Sequence, residues 1–161
     1  MNGENGKTQN CIRDVLARIK ERILPTVTET ARLDELIDAF ERSRHSRVLY
    51  AVDADNRFLG VIDVNDISQH VLFHYHEPRF DSRALIRIVT SEYARDFIKK
   101  EKCTALLDED YESVLQRMIK NRADEIPVLS EEGEILGDIT IVDMIEYYMH
   151  KTGRDRLNIL P

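Results

Sequence analysis

The sequence predicts an α+β protein made of two copies of one β-α-β-β-α unit. The first observation is an internal repeat, because the segment from Leu49 to Ile67 aligns without gaps on the segment from Ile126 to Met144. The second is that each aligned row has two apolar stretches around a short polar turn, which is typical of a β-hairpin. The third is a helical apolar pattern ahead of each hairpin. Each copy is therefore a small sheet with helices.

The aligned rows keep their glycine, acidic and apolar positions. The first copy reads LYAVDADNRFLGVIDVNDI and the second reads IPVLSEEGEILGDITIVDM. Gly60 falls on Gly137, and Asp66 falls on Asp143. The acidic turn in each row contains Asn or Gly, which favours a tight reversal of the chain. We expect strand, turn, strand and helix start in each copy.

The elements ahead of each hairpin also recur. Apolar residues at helical spacing predict a helix around Leu33 to Phe40 in the first copy and around Val114 to Met118 in the second. Acidic residues near the start of each helix suit its positive end. Before these helices, Thr26 to Thr28 and Cys103 to Leu106 predict short extended segments.

A further helix is predicted ahead of each unit. Ile12 to Leu16 matches Ala94 to Ile98, and both have the pattern of a starting amphipathic helix. The first of these helices is expected to run from Cys11 to Ile23. Its apolar face packs either on its own body or on a second subunit, and it consists of Ile12, Val15, Leu16, Ile19 and Ile23.

The repeats divide the chain into five regions. We predict a disordered leader at 1–10, a first repeat at 11–73, a polar linker at 74–92, a second repeat at 93–150 and a C-terminal tail at 151–161. One copy alone would bury little apolar surface, so the pair is the predicted folding unit.

Composition and charge argue against several classes of protein. With 161 residues, 42% of them hydrophobic and 33% charged, the chain has the profile of a packed protein. A net charge of -7 disfavours binding to nucleic acid or to anionic membranes. No stretch approaches the roughly twenty apolar residues of a membrane helix. Cys11 and Cys103 form no CxxC pattern and the start has no signal peptide, which predicts a cytoplasmic protein with two reduced thiols.

A motif present in both copies resembles that of the CBS-domain family. Glu125 to Leu129 has the family's hydrophobic strand with Pro-Val, and Gly137 to Asp143 has its Gly-to-Asp segment with a Thr three residues before the Asp. Val48 to Val52 and Gly60 to Asp66 match with departures. The resemblance covers about residues 12 to 150. It implies a CBS-domain pair, or Bateman module, in which two repeats form a pseudo-twofold assembly with two clefts.

The resemblance also implies a ligand and a site. Family members most often bind adenine nucleotides and regulate another protein, so we expect a regulatory module for AMP, ADP, ATP or S-adenosylmethionine. The resemblance implies a module that requires no cofactor. The family's motif Asp holds the ribose and its Thr assists, which here are Asp143 and Thr140. The base is then expected against Ile126, Pro127 and Val128, and the phosphate near Arg44, His45 and Arg47.

The first copy departs from the motif at its hydroxyl position, where Asp63 stands in place of Thr140. A carboxylate about 4 Å from a phosphate would cost on the order of 4 kcal/mol at an effective dielectric near 20. That is nearly a thousandfold in affinity. We therefore expect the ligand at the second motif, and Tyr50, Asp63 and Asp66 form the less favoured pocket.

Other interpretations of these residues stay open. Asp143 and Asp66 can each serve only as a helix cap. Arg44 and Arg47 can form a solvated helix end. The alternative functions are a ligand-free dimerisation scaffold, whose clefts are filled by side chains such as Tyr50 and Asp63, and a cation or metabolite sensor at the acidic first cleft.

No metal or catalytic motif accompanies the repeats. Of His70, His74 and His76, only His70 and His74 would lie on the same face of a helix. No acidic or Cys ligand completes a metal-binding set. The chain has no P-loop, GxSxG or HExxH, so we expect no enzyme activity. The resemblance implies a homodimer through Ile67 to Leu72 and Met144 to Met149. An enzyme or transporter would be the regulated partner.

Overall fold

The computed structural model of the protein describes residues 10–75, 82–83, 86, 92–100 and 103–153. Nearly all of the predicted leader, most of the linker and most of the tail lie outside these residues. The described elements confirm the predicted fold class in both copies. In chain order they are α1 (Ile12–Leu16), β1 (Thr26–Thr28), α2 (Leu33–Arg42), β2 (Val48–Val52), β3 (Phe58–Asp63), α3 (Val64–Tyr75), a 3-10 turn (Ala94–Asp96), β4 (Ala105–Leu106), α4 (Tyr111–Asn121), β5 (Glu125–Leu129), β6 (Ile135–Thr140) and α5 (Ile141–Lys151).

Each repeat builds one three-stranded sheet, ordered β1-β2-β3 in the first and β4-β5-β6 in the second. In the first sheet β1 pairs with β2 in parallel, and β2 pairs with β3 antiparallel, with Leu49 opposite Ile62. The two hairpin turns place Asn56 and Gly133 in the left-handed region, at φ 60 and φ 85. Asn and Gly adopt this conformation at low cost. The turn chemistry that predicted the hairpins is therefore used in both copies.

The described residues fall into two compact units. The second-repeat unit takes its residues from Met1–Glu21, Cys103–Val128 and Gly137–Pro161, and the first-repeat unit takes them from Arg22–Lys102 and Leu129–Leu136. Each unit thus contains a lead-in segment from ahead of the other repeat. We call residues 10–19 the first lead-in and residues 92–100 the second lead-in.

Each lead-in is joined to its unit in the same way. Ile12 of the first lead-in is fully buried in a cluster with Val114, Met118, Ile126 and Ile139. Ala94 of the second lead-in is fully buried in a cluster with Leu33, Leu36, Leu49 and Ile62. The backbone bonds match as well, because the N–H of Ile12 donates to Glu109 and that of Ala94 donates to Ala31, at 3.0 and 2.7 Å. The α1 apolar face therefore packs on the body of the chain, as one of the two interpretations predicts.

Both predicted lead-in helices are shorter than expected. The prediction of a helix from Cys11 to Ile23 is wrong, because α1 ends at Leu16 and closes with i to i+3 bonds from Arg18 and Ile19. Ile23 is 63% exposed, so it has no core contact to extend the helix. The prediction of a helix from Ala94 to Ile98 is also wrong. Only a 3-10 turn forms there, because Lys99 must extend to pair with Val61.

Two further observations bear on the class of protein. Cys11 and Cys103 are both buried, and neither forms a disulfide bond. Among the helices that the structure describes, none combines the length and the apolar character needed to cross a bilayer.

Candidate functional site

The strand-to-helix junction of the second repeat is closed by a reciprocal pair of side chains. Thr140 ends β6 and is the N-cap residue of α5. Its backbone N–H and its hydroxyl both donate to Asp143 Oδ2, each at 2.7 Å, and the Asp143 N–H donates to Thr140 Oγ1 at 3.2 Å. This is a capping box, which satisfies the first donors of the helix. Both side chains are half-buried, so a ligand can still reach them.

Two contacts hold this junction in place. The hydroxyl of Tyr111 donates to the backbone carbonyl of Met144 at 2.7 Å, within the core. The N–H of Ile141 donates to the carbonyl of Asp124 at 2.8 Å. The same bond recurs in the first repeat, where the N–H of Val64 donates to Arg47 at 2.9 Å. The junctions are therefore built on one repeated backbone frame.

The buried hydroxyl of Tyr111 can be detected by a pH titration. Burial, followed by the negative charge of Glu112, raises the pKa of Tyr111 from 10.0 to about 12. Because the folded pKa lies above the unfolded one, the associated stabilisation is present below about pH 10 and is lost as the pH rises toward about 12. We predict that an absorbance titration shows a late-ionising tyrosine that Tyr111→Phe removes. A wild-type curve in which every tyrosine ionises near pH 10 would contradict the buried hydroxyl.

The junction of the first repeat uses the same positions differently. Asp63 Oδ1 accepts the N–H of Asn65 at 2.7 Å. Asp66, at the position of Asp143, forms an ion pair with Lys99 in which Nζ lies 2.6 Å from Oδ2. A hydrogen bond and charge attraction from Asp66 raise the pKa of Lys99, and Asp63 adds to this effect. Lys99 is thus paired with Asp66, the motif carboxylate of the first repeat.

The second lead-in fixes the position of Lys99. The backbone of Lys99 exchanges two hydrogen bonds with Val61, at 2.9 and 2.8 Å, beside Gly60. Tyr50, the third residue of the less favoured pocket, is fully buried with its ring edge-on to Phe58 at 6.3 Å. Tyr50 is therefore a core residue of the first-repeat unit.

The predicted phosphate-binding residues lie between α2 and β2 of the first-repeat unit. Arg44, His45 and Arg47 are exposed. Arg44 lies two residues beyond the end of α2, with Nη2 at 3.8 Å from Glu41 Oε1. Arg47 Nη2 donates to Asn65 Oδ1 at 3.4 Å, so the structure brings Arg47 to the first-repeat junction. Thr140 and Asp143 belong to the second-repeat unit.

The predicted base-binding strand is largely committed to the core. Ile126 and Val128 are fully buried in the cluster of the second-repeat unit. Side chains alternate along a strand, so Pro127 lies on the opposite face from its neighbours. Pro127 is buried as well, so all three predicted base contacts are covered in the unbound protein.

The histidines do not gather into a metal site within the described residues. His70 pairs with Glu92 of the second lead-in and lies edge-on to Phe97, with ring centroids 5.2 Å apart. The side chain of His74 and all of His76 lie outside the described residues. No group of three or more His, Cys, Asp or Glu in the described chain is placed to hold a metal ion.

Lys99 is the site residue that sequence reasoning missed. A signal was present, because the two aligned lead-ins place Lys99 opposite Ala17. The copy with an additional carboxylate, Asp63, therefore also receives an additional cation. Only the packing of each lead-in on the opposite repeat shows that these two charges meet.

Comparison with known proteins agrees with this architecture. A family model described as the CBS domain matches residues 12–72 and 94–150. Among solved structures, a CBS domain-containing protein from Thermotoga maritima is similar over 89% of this chain and 96% of its own, with a TM-score of 0.65 and 24% identity. The CBS domain of a membrane protein from Sphaerobacter thermophilus is similar over 86% and 87%, with a TM-score of 0.64 and 20% identity. CBSX2 in complex with AMP is similar over 88% and 98%, with a TM-score of 0.64 and 12% identity.

The fold and its junctions define a tandem-repeat α+β protein with two equivalent but chemically unequal strand-to-helix junctions. The matched residues cover both repeats. The chain belongs to the CBS-domain family and is a CBS-domain pair, which confirms the resemblance seen in its sequence.

Proposed function

We propose that this CBS-domain pair is a cytoplasmic regulatory module, without catalytic activity, that binds one adenosine-containing ligand at its second-repeat junction. The candidate ligands are AMP, ADP, ATP and S-adenosylmethionine. The ribose lies on Thr140 and Asp143, and the base lies against Pro127 and the adjacent backbone of Ile126 and Val128. The phosphate is met by basic residues of the first repeat, Arg44, His45 and Arg47.

The observation that carries this proposal is the unequal chemistry of the two junctions. At the second junction, the Thr140 hydroxyl and the Asp143 carboxylate bond to each other across a helix cap, and ligand hydroxyls can form bonds of the same kind with them. At the first junction, Lys99 already occupies Asp66, and Asp63 would repel a phosphate. The AMP complex of CBSX2 supports the ligand class, since that protein shares the fold.

The proposed regulation works through a population shift. A ligand that binds one conformation more tightly than another favours it, and a partner enzyme or transporter responds to the change. We propose a homodimer through Ile67 to Leu72 and Met144 to Met149. Exposed apolar side chains support this surface, because Leu72 is 54% exposed and Ile145 is 53% exposed. Neither nucleic-acid binding nor membrane insertion forms part of the proposed function.

A thermal-unfolding panel tests this function. The chain is heated alone and with AMP, ADP, ATP, S-adenosylmethionine, Mg2+ or Ca2+. A ligand present at a hundred times its Kd adds about 2.7 kcal/mol to the free energy of unfolding. We expect at least one adenosine compound to raise Tm. No shift with any of these compounds at millimolar concentration would contradict the proposed function.

A ligand-free dimerisation scaffold is the second candidate. It is favoured by the capping box, which satisfies the α5 helix start without a ligand, and by the complete burial of Tyr50. It predicts no shift in the panel together with a dimer in solution. The sensor alternative predicts a shift with Mg2+ or Ca2+ alone, and the Lys99 ion pair at Asp66 disfavours it.

A further inference from the structure

A separate cavity lies in the second-repeat unit, at the far end of α5 from Thr140. It has a volume of about 400 Å³ and lies between the first lead-in and the last turn of α5. This volume is within the range of small-molecule sites. At about 1.5 Å per residue, His150 is roughly 15 Å along α5 from Thr140. The cavity is therefore distinct from the junction. Its walls include Asp14, Arg18, Tyr147, His150 and Lys151.

The charge around this cavity is positive. Arg18 and Lys151 both carry positive charges at neutral pH. The carboxylate of Asp14 already accepts the backbone N–H of Cys11 at 3.2 Å and its thiol at 3.6 Å. Within the described chain, neither Arg18 nor Lys151 has a carboxylate partner. Such a surplus is unusual in a chain that carries 30 acidic and 23 basic residues.

Arg18 lies over one of two neighbouring tyrosine rings. Its Cζ atom lies 5.7 Å from the centroid of the Tyr147 ring. That ring lies 5.1 Å from the ring of Tyr111, whose hydroxyl is bonded to Met144 in the core. A guanidinium that stacks on a ring keeps its in-plane N–H donors for other groups. Two such donors side by side match the oxygens of a phosphate.

We propose that this cavity is an anion site for a small phosphate-bearing molecule. Arg18 binds the phosphate through its N–H donors, and Lys151 provides the second charge. The site is independent of the proposed adenosine site, because no residue is common to both. Basic residues in the last turn of α5 also complement its helix dipole. The test therefore has to distinguish phosphate binding from stabilisation of the α5 helix dipole.

The test is a titration of the isotope-labelled full chain with sodium phosphate, followed by amide NMR shifts at constant ionic strength. Sodium chloride serves as the control titrant. We expect saturable shifts at the cavity segments, residues 10–18 and 147–151, and these are followed separately from shifts at the proposed phosphate contacts Arg44, His45 and Arg47. Arg18→Gln with Lys151→Gln should weaken binding about tenfold or more, since charge-assisted hydrogen bonds are lost. Arg18→Lys should also weaken it, because lysine lacks the planar donor pair.

The matched control is Lys120→Gln with Arg122→Gln, which removes the same charge from the end of α4 in the same unit. This control should bind phosphate as the parent does. The amide spectrum reports directly whether each variant is folded. Absence of saturable shifts, or equal weakening in the cavity and control variants, would overturn the proposed site.

Discussion

Gly60→Ala is expected to lower the free energy of unfolding by about 2–4 kcal/mol, because overpacking against fixed backbone adds to backbone strain. A Cβ atom at residue 60 would lie 2.3 Å from the carbonyl oxygen of Lys99 and 2.8 Å from Cγ2 of Ile98. The Lys99 carbonyl cannot easily move, since it accepts the N–H of Val61 at 2.9 Å. Denaturant unfolding of the variant and the parent measures this loss.

The matched control is Gly137→Ala, at the equivalent position of the second repeat. There the added Cβ meets only a side chain, with Leu16 Cδ2 at 3.1 Å. A leucine side chain can shift by a few tenths of an ångström, so we expect a loss of less than about 1 kcal/mol. Equal losses at Gly60 and Gly137 would contradict the close approach of the second lead-in.

Ile126→Ala is expected to lower the free energy of unfolding by about 2–5 kcal/mol, the usual cost of removing a buried aliphatic side chain. Ile126 is fully buried in the same cluster as Met118 and Ile139. The resemblance placed this residue against a bound base, and that role makes a different prediction. A residue that only contacts a ligand would weaken binding and leave the stability of the unbound protein unchanged.

Ile119→Ala is the control for this experiment, because Ile119 lies on α4 of the same unit and is 64% exposed. Its loss should be within about 0.5 kcal/mol, as for most surface substitutions. Chemical unfolding without ligand measures both variants. Unchanged stability of Ile126→Ala would show that β5 does not pack as described.

Local sequence patterns were sufficient to predict the repeated elements. Val114 and Met118 lie one helical turn apart, and both are fully buried on α4. The acidic turns reverse the chain at Asn56 and Gly133 as their residue types require. These features depend only on residues that are close together in the chain, so they can be predicted from a single sequence.

The lead-ins could not be predicted in the same way, because distant residues decide their conformation. Ala94 to Ile98 has a helical pattern, yet Lys99 pairs with Val61 and keeps the chain extended. The same contact brings Lys99 to Asp66. The sequence therefore predicted that Asp63 makes the two junctions different. It did not predict that Lys99 forms an ion pair with Asp66 at the first junction.

A calorimetric titration of the most stabilising adenosine compound most directly tests binding at a single junction. We predict one ligand per chain, and we predict that Asp143→Ala abolishes measurable binding while Asp66→Ala binds as the parent does. Loss of the cap should cost Asp143→Ala about 1 kcal/mol of stability. Unfolding at the same temperature therefore verifies that the variant remains folded. Two ligands per chain, or parental affinity in Asp143→Ala, would contradict binding at the second junction alone.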